Sequence, residues 1–179
     1  MQVFDEQKAL NATLYVVRQL KTSTLHETFK ILYWADMDHL ATYGRSIIRD
    51  KYVKMDDGPV PSAIYDLIKD LRDKRVSAAK QKEIAAFVKI VGTHIIQPAG
   101  EVDLDFFSPS ELKSLDTSIQ QNRNMNYGKR RDLSHGPAWQ SAATNGRIDQ
   151  GEIAKEGGAN KEMLKYIKEI EDYKNYKPE

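Results

Sequence analysis

Apolar residues recur through most of this chain at the spacing of a helix, and strong start and stop signals cut the pattern into short rods. Such a pattern points to a helical domain with room for little else. Leu10, Leu14 and Val17, with Leu20 a turn further on, form the stripe of a first helix that starts near Asp5. Lys21-Thr22-Ser23 breaks it. Thr24 and Glu27 then have the form of a capping box, in which each side chain satisfies the other residue's backbone amide. The helix they open buries Leu25, Phe29, Leu32 and Leu40, with Tyr33 and Trp34 alongside. Gly44 is placed to end it in the left-handed conformation. Ser108-Pro109-Ser110-Glu111 is the clearest helix start of all: a capping Ser, Pro in the first turn and Glu three residues after the cap.

The remaining segments are less regular. Ser46 to Met55 is rich in β-branched and aromatic residues, which predicts a short hairpin or an extended excursion. Asp56-Asp57-Gly58-Pro59-Val60-Pro61 reads as a stiff, exposed turn, with Pro61 opening a helix that carries Ile64, Leu67, Ile68 and Leu71. A further helix is predicted from Ser77 to about Val91, and short extended pieces over 94–97 and 102–107. Tyr127 to Ser134 makes a short helix, Trp139 lies on a small one, and 145–158 is Gly-rich and polar, as a loop would be. Asn160 to Tyr173 closes the chain with Met163, Leu164, Ile167 and Ile170 on one face. The expected fold is mostly α, α+β at most: a compact helical domain with a small β-hairpin after the second helix. Residues 1–145 form the main domain, 146–158 a loop, and 159–179 a helix packed on the same domain.

Composition then removes several functions. A chain of 179 residues is about one domain and buries roughly 70% of its unfolded surface without staples. With no cysteine there is no disulfide, no thiolate zinc site and no Cys nucleophile, which fits a reducing cytoplasm. Met1 to Lys8 is polar rather than signal-like, and no apolar run approaches the ~20 residues that span a bilayer. With 27 basic and 26 acidic residues there is no concentrated positive field, so no nucleic-acid partner is expected. Lys129-Arg130-Arg131 reads as a solvated helix face, with a recognition patch as the alternative. No phosphate-binding, dinucleotide or nucleophile-elbow motif occurs. Asp36, His39 and Asp50 are the one set that would suit a transition metal or a small enzyme, but no second His stands at helical spacing. No metal, cofactor or catalytic activity is therefore expected.

One ordered run is distinctive. It comprises Lys30-Ile31-Leu32-Tyr33-Trp34-Ala35-Asp36, His39-Leu40, Tyr43-Gly44-Arg45, Ile48, Asp50-Lys51-Tyr52-Val53, Met55, Gly58-Pro59-Val60-Pro61-Ser62 and Tyr65-Asp66-Leu67. Together with Phe107-Ser108-Pro109-Ser110-Glu111, Leu133-Ser134-His135 and Trp139, it strongly resembles the Panacea domain, also called the SocA-like antitoxin domain, of bacterial and phage proteins. The resemblance covers roughly residues 8–143. It implies a mostly helical antitoxin that binds and neutralises a protein toxin encoded by an adjacent gene. It also leaves a second role open, as an adaptor that delivers a client to a cytoplasmic protease.

The polar and rigid members of that run are the candidate partner-binding residues: Tyr33, Asp36, His39, Tyr43, Arg45, Asp50, Tyr52, Asp57, Pro59 and Pro61. Tyr is enriched at interfaces, and a stiff loop loses little entropy on binding. The competing reading makes Asp36, Arg45 and Asp50 a charged network that pins the hairpin to the second helix.

Overall fold

The computed structural model of the chain describes residues 4–175. Its elements begin with α1 (Glu6–Leu20), β1 (Ser23–Thr24), α2 (Leu25–Tyr43), β2 (Tyr52–Met55), β3 (Gly58–Pro61) and α3 (Ser62–Asp73). They continue with α4 (Ala78–Ala85), β4 (Val88–Val91) and β5 (Ile95–Pro98). A 3-10 turn at Leu104–Phe106 leads into α5 (Pro109–Asn122), α6 (Tyr127–Ser134), α7 (Pro137–Ser141), α8 (Gln150–Glu156) and α9 (Lys161–Asn175). The fold is mostly α. Its strands form the antiparallel hairpin β2–β3 and a small antiparallel sheet in the order β1-β5-β4.

Helix α2 is the axis. Leu25, Phe29, Leu32 and Leu40 are buried as expected, but so are Thr28, Lys30, Tyr33, Asp36 and His39 on its other sides. A helix enclosed all round is a core helix rather than an amphipathic surface one. Here α1, α5, α6, α8, α9 and β3 all pack against it. The Thr24 hydroxyl accepts the Glu27 amide at 3.1 Å. The reciprocal half of the expected capping box is missing, because the Glu27 carboxylate accepts from Ser23 and Arg130 instead. At the far end Gly44 has φ +70°, and a Cβ there would stand 2.6 Å from the Tyr166 ring of α9. Left-handed backbone and close approach both require glycine at this point.

Helix α5 opens with the full capping box, each of Ser108 and Glu111 accepting the other's backbone amide. The second Glu111 oxygen meets the Lys8 ammonium at 2.7 Å in a buried ion pair that ties α5 to α1. Burial works to raise the Glu111 pKa, but Lys8 and the Ser108 amide outweigh it and hold the carboxyl below its ordinary range.

Four segments differ from expectation, some because a strand elsewhere pairs with them and some because a local cap starts a short helical turn. Gly58 to Pro61 is not an exposed turn but the buried strand β3, paired from Met55 with Gly58 to Tyr52 with Pro61. Only Asp56 and Asp57 turn the chain. The other edge of β2 is taken by residues of the expected loop: the Lys54 amide donates to the Gly146 carbonyl and the Ile148 amide to that of Tyr52. That stretch then forms α8, capped by Asp149, with Ile153 and Ala154 buried. Seven residues are too few for a periodic signal. The helix expected to reach Val91 stops at Ala85, and Val88–Val91 becomes a strand because β5 lies ready to pair with it. Residues 102–107 hold a 3-10 turn capped by Asp103 rather than a strand.

Removing bulk from this axis is costly. Leu32→Ala, at 1% exposure, is expected to lose about 2–5 kcal/mol in a denaturant titration, against roughly 0.5 kcal/mol or less for Leu133→Ala at 50% exposure.

Candidate partner-binding site

Asp36 sits on α2 with no exposure to solvent. One carboxylate oxygen accepts the amides of Ile47 at 2.5 Å and Ile48 at 3.3 Å, and the other accepts the Tyr52 hydroxyl at 2.9 Å. No cation pairs with it among the described residues. Burial pushes its pKa up to about 7, against the pull of those three donors. Asp50 works similarly one segment on. It accepts the amides of Lys51, Ala63 and Ile64, so it caps α3 from outside in place of the Pro61 side chain, which cannot. The carboxylates do pin the hairpin segment to the helices, but through backbone amides. The Arg45 side chain, expected in that network, is exposed.

His39 is also fully buried. Its Nδ1 donates to the Arg45 carbonyl at 2.7 Å, and its Nε2 meets the Ser110 hydroxyl at 3.2 Å, linking the end of α2 to the start of α5. Burial lowers its pKa, which favours the neutral ring. Tyr33 packs edge-on against Tyr52 with ring centroids 5.1 Å apart. Its hydroxyl is buried without a partner among the described residues, and burial drives its pKa far upward. Asp36, His39 and Asp50 are thus each committed to separate backbone partners, and no group of three His, Asp or Glu among the described residues is arranged to hold a metal ion.

The candidate residues therefore divide. Tyr33, Asp36, His39, Asp50, Tyr52, Pro59 and Pro61 lie in the interior. Tyr43, Arg45 and Asp57 are at the surface, the first two at the end of α2 and Asp57 at the tip of the hairpin. Around that tip the structure gathers further residues that were not among the candidates. Tyr127 of α6 is half exposed, and the neighbouring Asp57 carboxylate raises its pKa. Tyr127 also packs against the His26 ring at 4.4 Å. On the other side His135 stacks flat on Trp139 at 3.9 Å, and the Trp139 indole donates to the Met55 carbonyl.

The basic run on α6 is not simply a solvated face. Arg130, its middle member, is buried; it donates to Glu27 at 2.6 Å, to the Asn122 side chain and to the carbonyls of Asn122 and Met125. It is the strut that holds α6 against the start of α2. Lys30 is buried as well, and its ammonium donates to the Pro59 carbonyl at 2.9 Å beneath the hairpin. Burial lowers the Lys30 pKa to about 7, with Arg130 adding to the effect and Asp57 opposing it. The only hint in the sequence was a charged residue within an otherwise apolar stretch of helix.

The polar residues of the motif are thus mostly turned inward, and the hairpin tip stands beside the half-exposed Tyr127. The family described as "Antitoxin SocA-like, Panacea domain" matches residues 29–140, and the chain belongs to that family. The match begins within α2, so α1 lies outside it, as do α8 and α9. No curated protein and no solved structure matches the chain. No described helix is long and apolar enough to cross a membrane.

The buried Asp36 carboxyl has a definite pH signature. A carboxyl whose pKa rises on folding adds stability that is complete below its ordinary value near 3.8 and is lost as pH rises towards about 7. Asp36→Asn keeps an acceptor for both amides and can donate to Tyr52 Oη, yet has no proton to lose. Thermal melts from acid to neutral pH are expected to fall more steeply for the native protein than for Asp36→Asn. Asp36→Ala, which strands two amides and a phenol, is expected to cost about 2–5 kcal/mol.

Proposed function

We propose that this protein is an antitoxin that neutralises a cognate protein toxin, the product of an adjacent gene, by binding it directly. Membership of the SocA-like antitoxin family carries this reading. The surface assigned to the toxin is the hairpin tip with α6. Asp57 and the half-exposed Tyr127 stand side by side there, with Arg131 one turn along from Tyr127. An aromatic anchor with both charge signs around it is the usual make-up of an interface centre and its rim. Tyr43 and Arg45, at the end of α2, form a second exposed pair that a partner burying on the order of 1,600 Å² has the span to include. In this reading the buried candidates, Asp36, His39 and Asp50 among them, act by holding the hairpin and the end of α2 in place.

The test is co-expression. The neighbouring gene is induced alone and then with this protein, and growth and co-purification are scored. Toxicity that this protein relieves, with a stable complex, is the expected result. Asp57→Lys and Tyr127→Ala are expected to weaken the complex about tenfold or more while the melting temperature holds, whereas Leu32→Ala loses both. Relief of toxicity with disappearance of the partner protein, and no complex, would instead indicate delivery to a protease.

A further inference from the structure

Beside the hairpin tip lies a groove of about 290 Å³. Its apolar walls are Leu25 and Phe29 from α2, Val60 from β3 and Tyr65 from α3, with Phe29 and Tyr65 meeting edge to face at 5.9 Å, and its polar lining includes Asp56, Asp57, Arg72 and His94. Lys30 and His26 also line it. Among the described residues, the Lys30 ammonium has one hydrogen-bond partner, the Pro59 carbonyl, and no carboxylate within ion-pair distance. An ammonium has three donors and is costly to bury unpaired. Both His26 ring nitrogens are buried without a partner among the described residues. Lys30 and His26 thus hold unmatched donors at the groove, while Arg72, its other cation, is already paired with the Asp73 carboxylate.

We propose that this groove receives a single carboxylate carried on an apolar stem, an acidic side chain of the protein partner, with Lys30 as its counter-ion and the His26 ring as a second donor. The proposal rests on the reading of the hairpin tip as the toxin-binding surface, since Asp57 lines the same groove. Charge complementarity singles out the occupant. A carboxylate satisfies the unmatched Lys30 donors in a charge-assisted hydrogen bond, and the stem covers Phe29 and Val60. Asp56 and Asp57 at the exposed turn repel a segment dense in negative charge, so one acid at the end of an apolar arm fits where an acidic tract does not. Burying that pair would also raise the Lys30 pKa again, because an adjacent anion favours the charged ammonium.

The first arm of the test needs no partner. 3-Phenylpropionate and its uncharged amide are titrated separately into the full-length protein, followed by the NMR signals of His26, Tyr65 and the Lys30 side chain. The acid is expected to bind in the millimolar range natural to so small a ligand, at least about tenfold tighter than the amide. Lys30→Met is expected to abolish the difference. If that variant does not fold, the native protein answers the question by pH. Around Lys30 and the groove stand the guanidiniums of Arg130 and Arg72, which keep their charge, the carboxylates of Asp56 and Asp57, the His94 ring, and His26, which is held down to about 4 and is already neutral. Preference for the acid is therefore expected to fade between about pH 6 and about pH 9 as Lys30 loses its proton. Equal binding of acid and amide, or a preference that survives Lys30→Met, overturns the proposal. The second arm adds the purified toxin. Displacement of bound 3-phenylpropionate on complex formation supports the partner as the source of the carboxylate. A complex that forms while the probe stays bound overturns that assignment but leaves the antitoxin reading intact. Absence of any complex overturns both, and the first arm still shows whether the groove recognises carboxylates.

Discussion

The carboxylate of Asp36 is the interaction on which the centre of this fold depends. It is fully buried, has no cation beside it among the described residues, and is satisfied by two backbone amides and a phenol. Those three donors all come from the segment that follows α2, so one side chain sets where the chain goes after the helix ends. Asp50 repeats the device at the start of α3, where it accepts the amides of Ala63 and Ile64, and it also accepts the amide of its neighbour Lys51. Hydrogen bonds from backbone to a buried carboxylate are expensive to break, because each lost acceptor strands a donor away from water. The hairpin is therefore held from both ends by groups that do not face solvent.

This arrangement changes the meaning of the polar residues in the family motif. Asp36, His39, Asp50 and Tyr52 form no open site; Asp36 ties α2 to β2 through Tyr52, His39 ties α2 to α5, and Asp50, in the segment before β2, caps α3. What the protein presents is the product of those links. The hairpin tip stands next to α6, which is in turn bolted to α2 through Arg130 and Glu27 at 2.6 Å. Helices outside the family match matter as well. α1, α8 and α9 complete the burial of α2, and the Tyr166 ring of α9 sits directly on Gly44 of the motif. The surface built this way has buried support beneath it and emerges at Asp57 and Tyr127.

Much of this could be read from the residues in order. The stripes of α1, α3 and α9, the left-handed end of α2 at Gly44, the capping box at Ser108 and the span of α6 all follow from local rules, since each needs only neighbours three or four positions away. The family motif was also legible, because its residues are numerous and ordered. Local rules failed where the decisive contact was remote. Val88–Val91 has both helical spacing and β-branched side chains, and only the presence of β5 selects the strand. Gly58-Pro59-Val60-Pro61 has the composition of a turn, yet it pairs with β2 and lies under α6 and over Lys30.

The amino-acid sequence by itself determined the helical class, most helix ends, the absence of cysteine chemistry and the family. These rest on periodicity, caps and motif, which are properties of short stretches. Only the tertiary structure decided which polar residues face inward. Asp36 and Asp57 are both acidic members of one motif, but the first is enclosed by amides and the second stands at the surface beside Tyr127. Nor does the order of residues reveal that Lys30 and Arg130 are buried, or that a groove opens beside the first of them. Burial is set by what packs from elsewhere in the chain, and the free energy of a charge depends on that surrounding far more than on its neighbours in sequence.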